Sequence, residues 1–208
     1  QYTSGILRGK HTGTVGMIGC LSFNLNKIIT SGGGGMILTN SKKLALKAKY
    51  LLNQAKDDSI KFLHNSIGYN FGLTNLHAAI GCAQFEKFNK ILSMKKKVHL
   101  EYKKNLIKNK HIELIVSPKY SKNNYWMNYI RFKEKKKIKK EKLLKKLLFN
   151  KIEARPIWQC NHLQKPYINC QRFRITNAIK MIDSCLCLPS SYFLKKYKIK
   201  KILKLIEE

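Results

Sequence analysis

Apolar positions along the 208 residues fall into two textures. In the first half, short apolar runs alternate with glycine-containing turns before a helical period sets in. Residues 15–23 and 35–39 read as two short buried strands flanking a polar turn and four consecutive glycines, Gly32 to Gly35. Asn40 or Ser41 can cap a helix running to about Asn53, with Leu44, Ala48, Leu51 and Leu52 on one face. Residues 54–69 have no period and read as a long loop. Thr74 or Asn75 caps the next helix, in which Leu76, Ile80, Ala83 and Phe88 recur at helical spacing; the pattern continues through Ile91 and Leu92 toward Leu106, with a break near Asn89. From Ile112 onward the spacing predicts strands at 112–116 and 124–132, a helix at 138–149 and a short strand at 152–157. A helix near 172–182, a strand at 185–188 and a closing helix at 193–206 complete the pattern. The change of texture near Lys108 to Lys110 sets the expected domains at 1–109 and 110–208.

Composition narrows the class. Hydrophobic residues make up 44% of the chain, enough for one good-sized domain or one plus a small second one. No apolar run approaches the ~20 residues of a membrane span. The polar beginning, without methionine or an apolar centre, carries the expectation of a piece of something longer. Six cysteines, Cys20, Cys82, Cys160, Cys170, Cys185 and Cys187, show no CxxC spacing. They read as reduced thiols of a cytoplasmic protein without structural zinc, with Cys20, Cys82 and Cys185 in apolar surroundings.

The net charge is +31 and the pI about 10.0, which invites a nucleic-acid reading. Yet only five of the 42 basic residues are arginine, the residue that bidentate phosphate and base contacts favour. The lysines fall mostly on expected helix outer faces and in the run 133–146. Coding biased toward A and T would raise Lys, Ile and Asn together. A solvated basic surface is the preferred reading, and a basic nucleic-acid-binding module the alternative.

Against that background one lysine stands apart. Lys27 lies in a Ser/Asn/Gly-rich turn between two apolar runs rather than among other lysines, a setting in which an amine can attack a carbonyl. Ser22 lies five residues before it, at a strand end, where a hydroxyl could meet a phosphate. The same spacing suits a strand-end serine and a surface lysine. The glycine run is neither GxxxxGK[ST] nor the GxGxxG dinucleotide fingerprint; it suits close backbone approach to a cofactor or a plain hairpin. Asn70, ahead of a helix start, could bind phosphate or simply form a turn. Arg155, followed by Trp158 and His162, suits a diphosphate or planar base, or an ion pair with one of the few acids. Ser–His–Asp hydrolysis has no GxSxG to support it.

The blocks GKHTGTVGMIGCLSFNLNKIITSGGGGMILTN, QAKDD, HNSIGYNFGLTNLHAAIGCAQ and IEARPIWQCNHLQKPY, taken in order, resemble the DegT/DnrJ/StrS nucleotide-sugar aminotransferases. Within that group the likeness is to transaminases of the bacillosamine and legionaminic acid pathways. The resemblance implies an α/β chain: the C-terminal part of a fold-type I large domain that binds pyridoxal phosphate, followed by a small α+β domain. It implies Lys27 as the Schiff-base lysine, Ser22 as a phosphate ligand and Gln1 beneath the pyridine ring. Asn70 would reach the phosphate of a neighbouring subunit's cofactor, so that a homodimer shares its active sites. Arg155 and His162 fall in a region similar to the nucleotide-sugar pocket. The implied reaction is amino transfer, with glutamate as donor, to a 4-keto nucleotide sugar. The chain departs from the family pattern at Met17, Leu25 and Gly72, where aspartate, glycine and arginine are usual. The family's pyridine-binding aspartate would precede Gln1 by three residues, so the 208 residues alone are expected to be inactive, and a catalytically dead remnant is the alternative within the family.

Overall fold

The computed structural model describes residues 6–7, 9–133 and 137–207. The candidate Gln1 lies outside them. The chain packs as two units, Gln1–Leu92 with Ser117–Asn124, and Ser93–Val116 with Tyr125–Glu208. The long helical region is shared, its residues up to Leu92 belonging to one unit and those from Ser93 onward to the other.

The first unit is built from short antiparallel pairings. β1 (Ile6–Leu7) lies between β2 (Lys10–His11) and β8 (Ser121–Lys122). β3 (Gly19–Ser22) and β4 (Gly35–Leu38) form a ribbon in the register Gly19↔Leu38 to Ser22↔Gly35. Only the last part of the expected strand 15–23 is strand. Residues 15–18 bend and expose Val15, Met17 and Ile18, because the ladder partner β4 is only four residues long.

Ser41 caps α1 (Lys42–Leu52), its hydroxyl accepting from Leu44 N, as a serine preceding an apolar-periodic run should. The expected face of Leu44, Ala48, Leu51 and Leu52 is half-buried. The aperiodic stretch after it contains a bulged pair, β5 (Lys56–Asp58) with β6 (Leu63–His64). Thr74 caps α2 (Asn75–Glu86), and α3 (Phe88–Leu106) follows after a break at Lys87.

Among the described residues neither α1 nor α2 buries a residue completely. That explains a correction: Cys82, on α2, is exposed, and so is Cys20, on the open two-stranded ribbon. Cys185 is buried as expected.

The second unit holds the larger core. Its sheet runs β10 (Arg155–Pro156), β11 (Cys185–Leu188), β9 (Asn128–Phe132), β7 (Ile112–Leu114), all antiparallel. Alternation along β9 sends Asn128, Ile130 and Phe132 inward, whereas β11 is buried at every position. α4 (Lys137–Phe149), α5 (Thr176–Ser184) and α6 (Lys196–Glu207) complete the unit. Tyr102, Leu147, Leu186 and Ile199 anchor the core cluster.

One face of α3 carries a buried polar seam. Lys95 Nζ donates to Ser190 O (2.6 Å), Tyr102 OH donates to Pro189 O (3.0 Å), and His99 Nδ1 donates to Asn128 Oδ1 (2.8 Å). Asn128 in turn donates from N and Nδ2 to Ser190 Oγ, fastening the start of β9 to the chain after β11.

Burial lowers the pKa of Lys95 to about 8 and raises that of the Cys187 thiol to about 11. Above pH 8 folded Lys95 sheds its proton while the unfolded chain keeps it, so stability rises with pH by roughly 1 kcal/mol between pH 8 and 9. Above pH 9 Cys187 opposes this, because the folded thiol holds a proton that the unfolded thiol releases. Urea melts across this window should show the rise in the parent chain and its absence in Lys95→Met.

Candidate active site

The turn that carries Lys27 is closed by its own backbone. Lys27 N donates to Asn24 O (3.0 Å), Ser31 N to Phe23 O (3.1 Å), and Phe23 N to Gly34 O (3.0 Å). Asn24 and Gly32 also pair across it. Thr30 bridges both limbs, its hydroxyl donating to Phe23 O (3.0 Å) and accepting from Gly32 N (2.9 Å). Ile28 and Ile29 are buried behind the turn, and Ser31 is fully buried with its hydroxyl donating to Gly33 O. Lys27 is therefore half-buried on a rigid loop whose apolar residues hold it down. Ser22, also half-buried, stands where β3 enters the turn, and its Oγ accepts from Asn24 N at 3.5 Å.

The glycine run has a specific cause at two positions. Gly34 has φ +80°, and a Cβ there would meet Leu73 Cδ1 at 2.6 Å. A Cβ on Gly35 would meet the Leu21 carbonyl oxygen at 2.4 Å. The first needs the left-handed region that side chains avoid, and the second needs the two ribbon backbones to touch. Gly33 by contrast faces open space.

Asn70 is presented by a second device in the same unit. Tyr69 N donates to Leu51 O (2.8 Å), Phe71 N to Leu52 O (3.1 Å) and Gln54 N to Tyr69 O (3.1 Å), and Asn70 bridges Asn53 at the end of α1. The QAKDD block makes this possible. Gln54 and Ala55 adopt φ +66° and +50°, and Ala55 is fully buried against Gly68, where a Cβ would lie 2.3 Å from Ala55 N. His64 Nδ1 bonds Gln54 O (2.8 Å). The Asp57 carboxylate accepts from Asn65 N (2.6 Å) and Tyr50 OH (3.0 Å), and the first of these holds its pKa below the usual carboxylate range. Asn70 is exposed and borders a cavity of about 430 Å³ together with Lys49, Lys56 and Gln54. Those two lysines were not singled out in the sequence, since they look like any others in so basic a chain.

Arg155 and His162 lie in the second unit. Arg155, on β10, is exposed and paired with Glu153 through Nε (3.1 Å) and Nη2. That ion pair is the simpler of the two readings its sequence allowed, and it raises the pKa of the guanidinium further. His162 occupies a short 3-10 turn, Asn161–Leu163, with Nε2 buried.

A primary amine and a hydroxyl on one closed turn are a donor set that fits a phosphate ester bearing an aldehyde. Lys27 and Ser22 meet that requirement, and neither is lost to the core.

The architecture matches solved aminotransferases. A Helicobacter pylori aminotransferase of pseudaminic acid biosynthesis, PseC, superposes with TM-score 0.87 at 21% identity, covering 98% of this chain and 56% of its own. The fold is that of the fold-type I enzymes. Residues 4–207 match the DegT/DnrJ/EryC1/StrS aminotransferase family, and the chain belongs to it; family members depend on pyridoxal phosphate. GDP-perosamine synthase of Caulobacter vibrioides is 30% identical over 97% of this chain and 54% of its own length. The putative pyridoxal phosphate-dependent aminotransferase EpsN of Bacillus subtilis is 32% identical over 76% of this chain and 40% of its own. The chain thus spans about half the length of the curated relatives it matches.

Proposed function

We propose that this chain forms the lysine-bearing part of a pyridoxal phosphate-dependent aminotransferase that delivers an amino group to a 4-keto nucleotide sugar, with glutamate as donor. The closed turn that places Lys27 beside the end of β3 carries the reading. When bound, the cofactor supplies the electron sink for moving an amino group. The chain's own residues do the rest. Lys27 Nζ is the attaching amine and the base that carries a proton to and from the substrate carbon. Ser22 would hold the phosphate through its hydroxyl, and Gln1, outside the described residues, is the candidate for holding the ring. The buried Ile28 and Ile29 and the hydrogen bonds of Thr30 keep Lys27 from swinging away.

Asn70, exposed on a backbone clamped to α1, suits a reach toward the phosphate of a second copy, giving a homodimer with shared sites. Arg155 and His162 would face the nucleotide sugar. Six free cysteines among the described residues suit a cytoplasmic setting. Because the chain covers about half of its relatives, we expect these 208 residues alone to fall short of completing the transfer.

The test uses the protein as its source makes it, supplied with pyridoxal phosphate, a 4-keto nucleotide sugar and ¹⁵N-glutamate. The reading expects ¹⁵N in the sugar product. Recovery of the sugar with no ¹⁵N from any amino donor would contradict it.

A further inference from the structure

We propose that α4 and α6 of the second unit form a lysine face that docks on an anionic phospholipid surface. The proposal goes beyond the aminotransferase reading and does not rest on it.

The lysines are not spread evenly. The two units are nearly equal in length, yet 25 of the 37 lysines lie in the second. Coding biased toward A and T would load both units alike and would supply asparagine as readily as lysine. The chain has 17 asparagines, and none falls in α4 or α6. On α6 every exposed position other than Tyr197 and Glu207 is lysine, and no acidic residue occurs between Asp183 and Glu207.

The packing collects these lysines on one side of the unit. α4 packs against α6. Leu143 and Leu147 of α4 and Ile199, Ile202 and Leu203 of α6 belong to one core cluster, so both helices turn their opposite faces away from the same core. On α6, Tyr197, Lys201 and Lys204 lie on one stripe at helical spacing; on α4, Lys142, Lys145 and Phe149 do the same. All six are exposed, Phe149 by 89%. Lys196, by contrast, lies 3.9 Å from a Glu101 carboxylate oxygen and is not part of the face.

The chemistry of the face selects its occupant. Protein interfaces are depleted of lysine, which argues against a second copy. Phosphate and base contacts to nucleic acid favour arginine, and none of the five arginines lies on either helix. Anionic headgroups need only point charges, and clusters of about four to eight basic residues on an amphipathic helix suit them. An exposed aromatic ring beside the lysines adds the second part of such a contact, because it enters the headgroup layer. Among the described residues no helix is long and apolar enough to cross a membrane, so the contact is at the surface.

Sedimentation of the full 208-residue chain with vesicles tests the face. Vesicles of phosphatidylcholine and phosphatidylserine in equal parts should carry the chain down at low salt. Vesicles of phosphatidylcholine alone should not, and high salt should release the chain. Lys198→Gln, Lys201→Gln and Lys204→Gln combined should weaken binding roughly a hundredfold, at about fivefold per lysine. Lys42→Gln, Lys43→Gln and Lys47→Gln combined remove the same charge from exposed positions of α1 and should change binding by less than about twofold. Phe149→Ala should cost several-fold and leave the salt dependence unchanged. Equal losses in the two triple variants would show net charge alone at work and overturn the face, as would equal binding to the two kinds of vesicle. Duplex DNA that binds more tightly than anionic vesicles at equal charge, and loses the α6 triple variant, would assign the face to nucleic acid and overturn the lipid reading. None of these outcomes bears on attachment at Lys27.

Discussion

Lys27→Ala should abolish stable attachment of pyridoxal phosphate while leaving the fold intact. The turn is held by backbone hydrogen bonds, including Lys27 N to Asn24 O, and by the buried Ile28, Ile29 and Ser31; alanine keeps all of these. What it removes is the amine. Lys27→Arg keeps the positive charge but supplies a guanidinium, which does not replace a lysine as nucleophile. Both variants should therefore fall to background after borohydride reduction, a loss of roughly a hundredfold or more. Their circular dichroism should match the parent chain. Lys49→Ala, which removes a lysine elsewhere in the same unit, should label like the parent.

The second large effect is expected within the glycine run, where three adjacent positions should respond differently. Gly33→Ala should be nearly silent, because its Cβ meets nothing. Gly34→Ala forces a side chain into the left-handed region, at about 1 kcal/mol, and pushes on the flexible end of Leu73. Gly35→Ala should be the most damaging. Its Cβ would press on the Leu21 carbonyl, so the β3–β4 ladder must open at about 2–3 kcal/mol. Ser22 is the residue opposite Gly35, so this variant should also weaken cofactor retention without touching Lys27. Amide hydrogen exchange over residues 19–38 measures the opening directly. The order of protection should be Gly33→Ala, then Gly34→Ala, then Gly35→Ala; equal protection in all three would show that the ribbon does not need its glycines.

The same residues show what the sequence could and could not say. α1 was legible because a capping serine and an apolar face coincide, and β11 because a short apolar run is flanked by a polar residue and a proline. The expected first strand, 15–23, is longer than the observed Gly19–Ser22. Residues 15–18 are apolar enough for a strand, but ladder length is set by the partner, and β4 offers only four residues. Cys20 and Cys82 are exposed because apolar neighbours in sequence mean burial only when another layer covers them. The ribbon carrying Cys20 is open, and α2 buries no residue completely. The hairpin in residues 54–69 has no period because it rests on positive φ angles and on Asp57 and Asp58 binding backbone N–H groups, not on alternation.

For the candidate site, spacing exposed an unusual lysine and a nearby serine. The role of Thr30 in tying the two limbs of the turn together was not legible, because nothing about a lone threonine seven residues from its acceptor stands out in a sequence. The neighbourhood of Arg155 is readable from the sequence only as two alternatives; in the structure its exposed guanidinium pairs with Glu153.

One lysine among 37, Lys27, is proposed as the attachment point. Incubation with pyridoxal phosphate, reduction with borohydride and peptide mass mapping puts the question to all 37 lysines at once. One pyridoxyl group per chain is expected, on the peptide that contains Lys27, with the other lysines at background. A label spread over the surface lysines, or concentrated on any lysine other than Lys27, would contradict it.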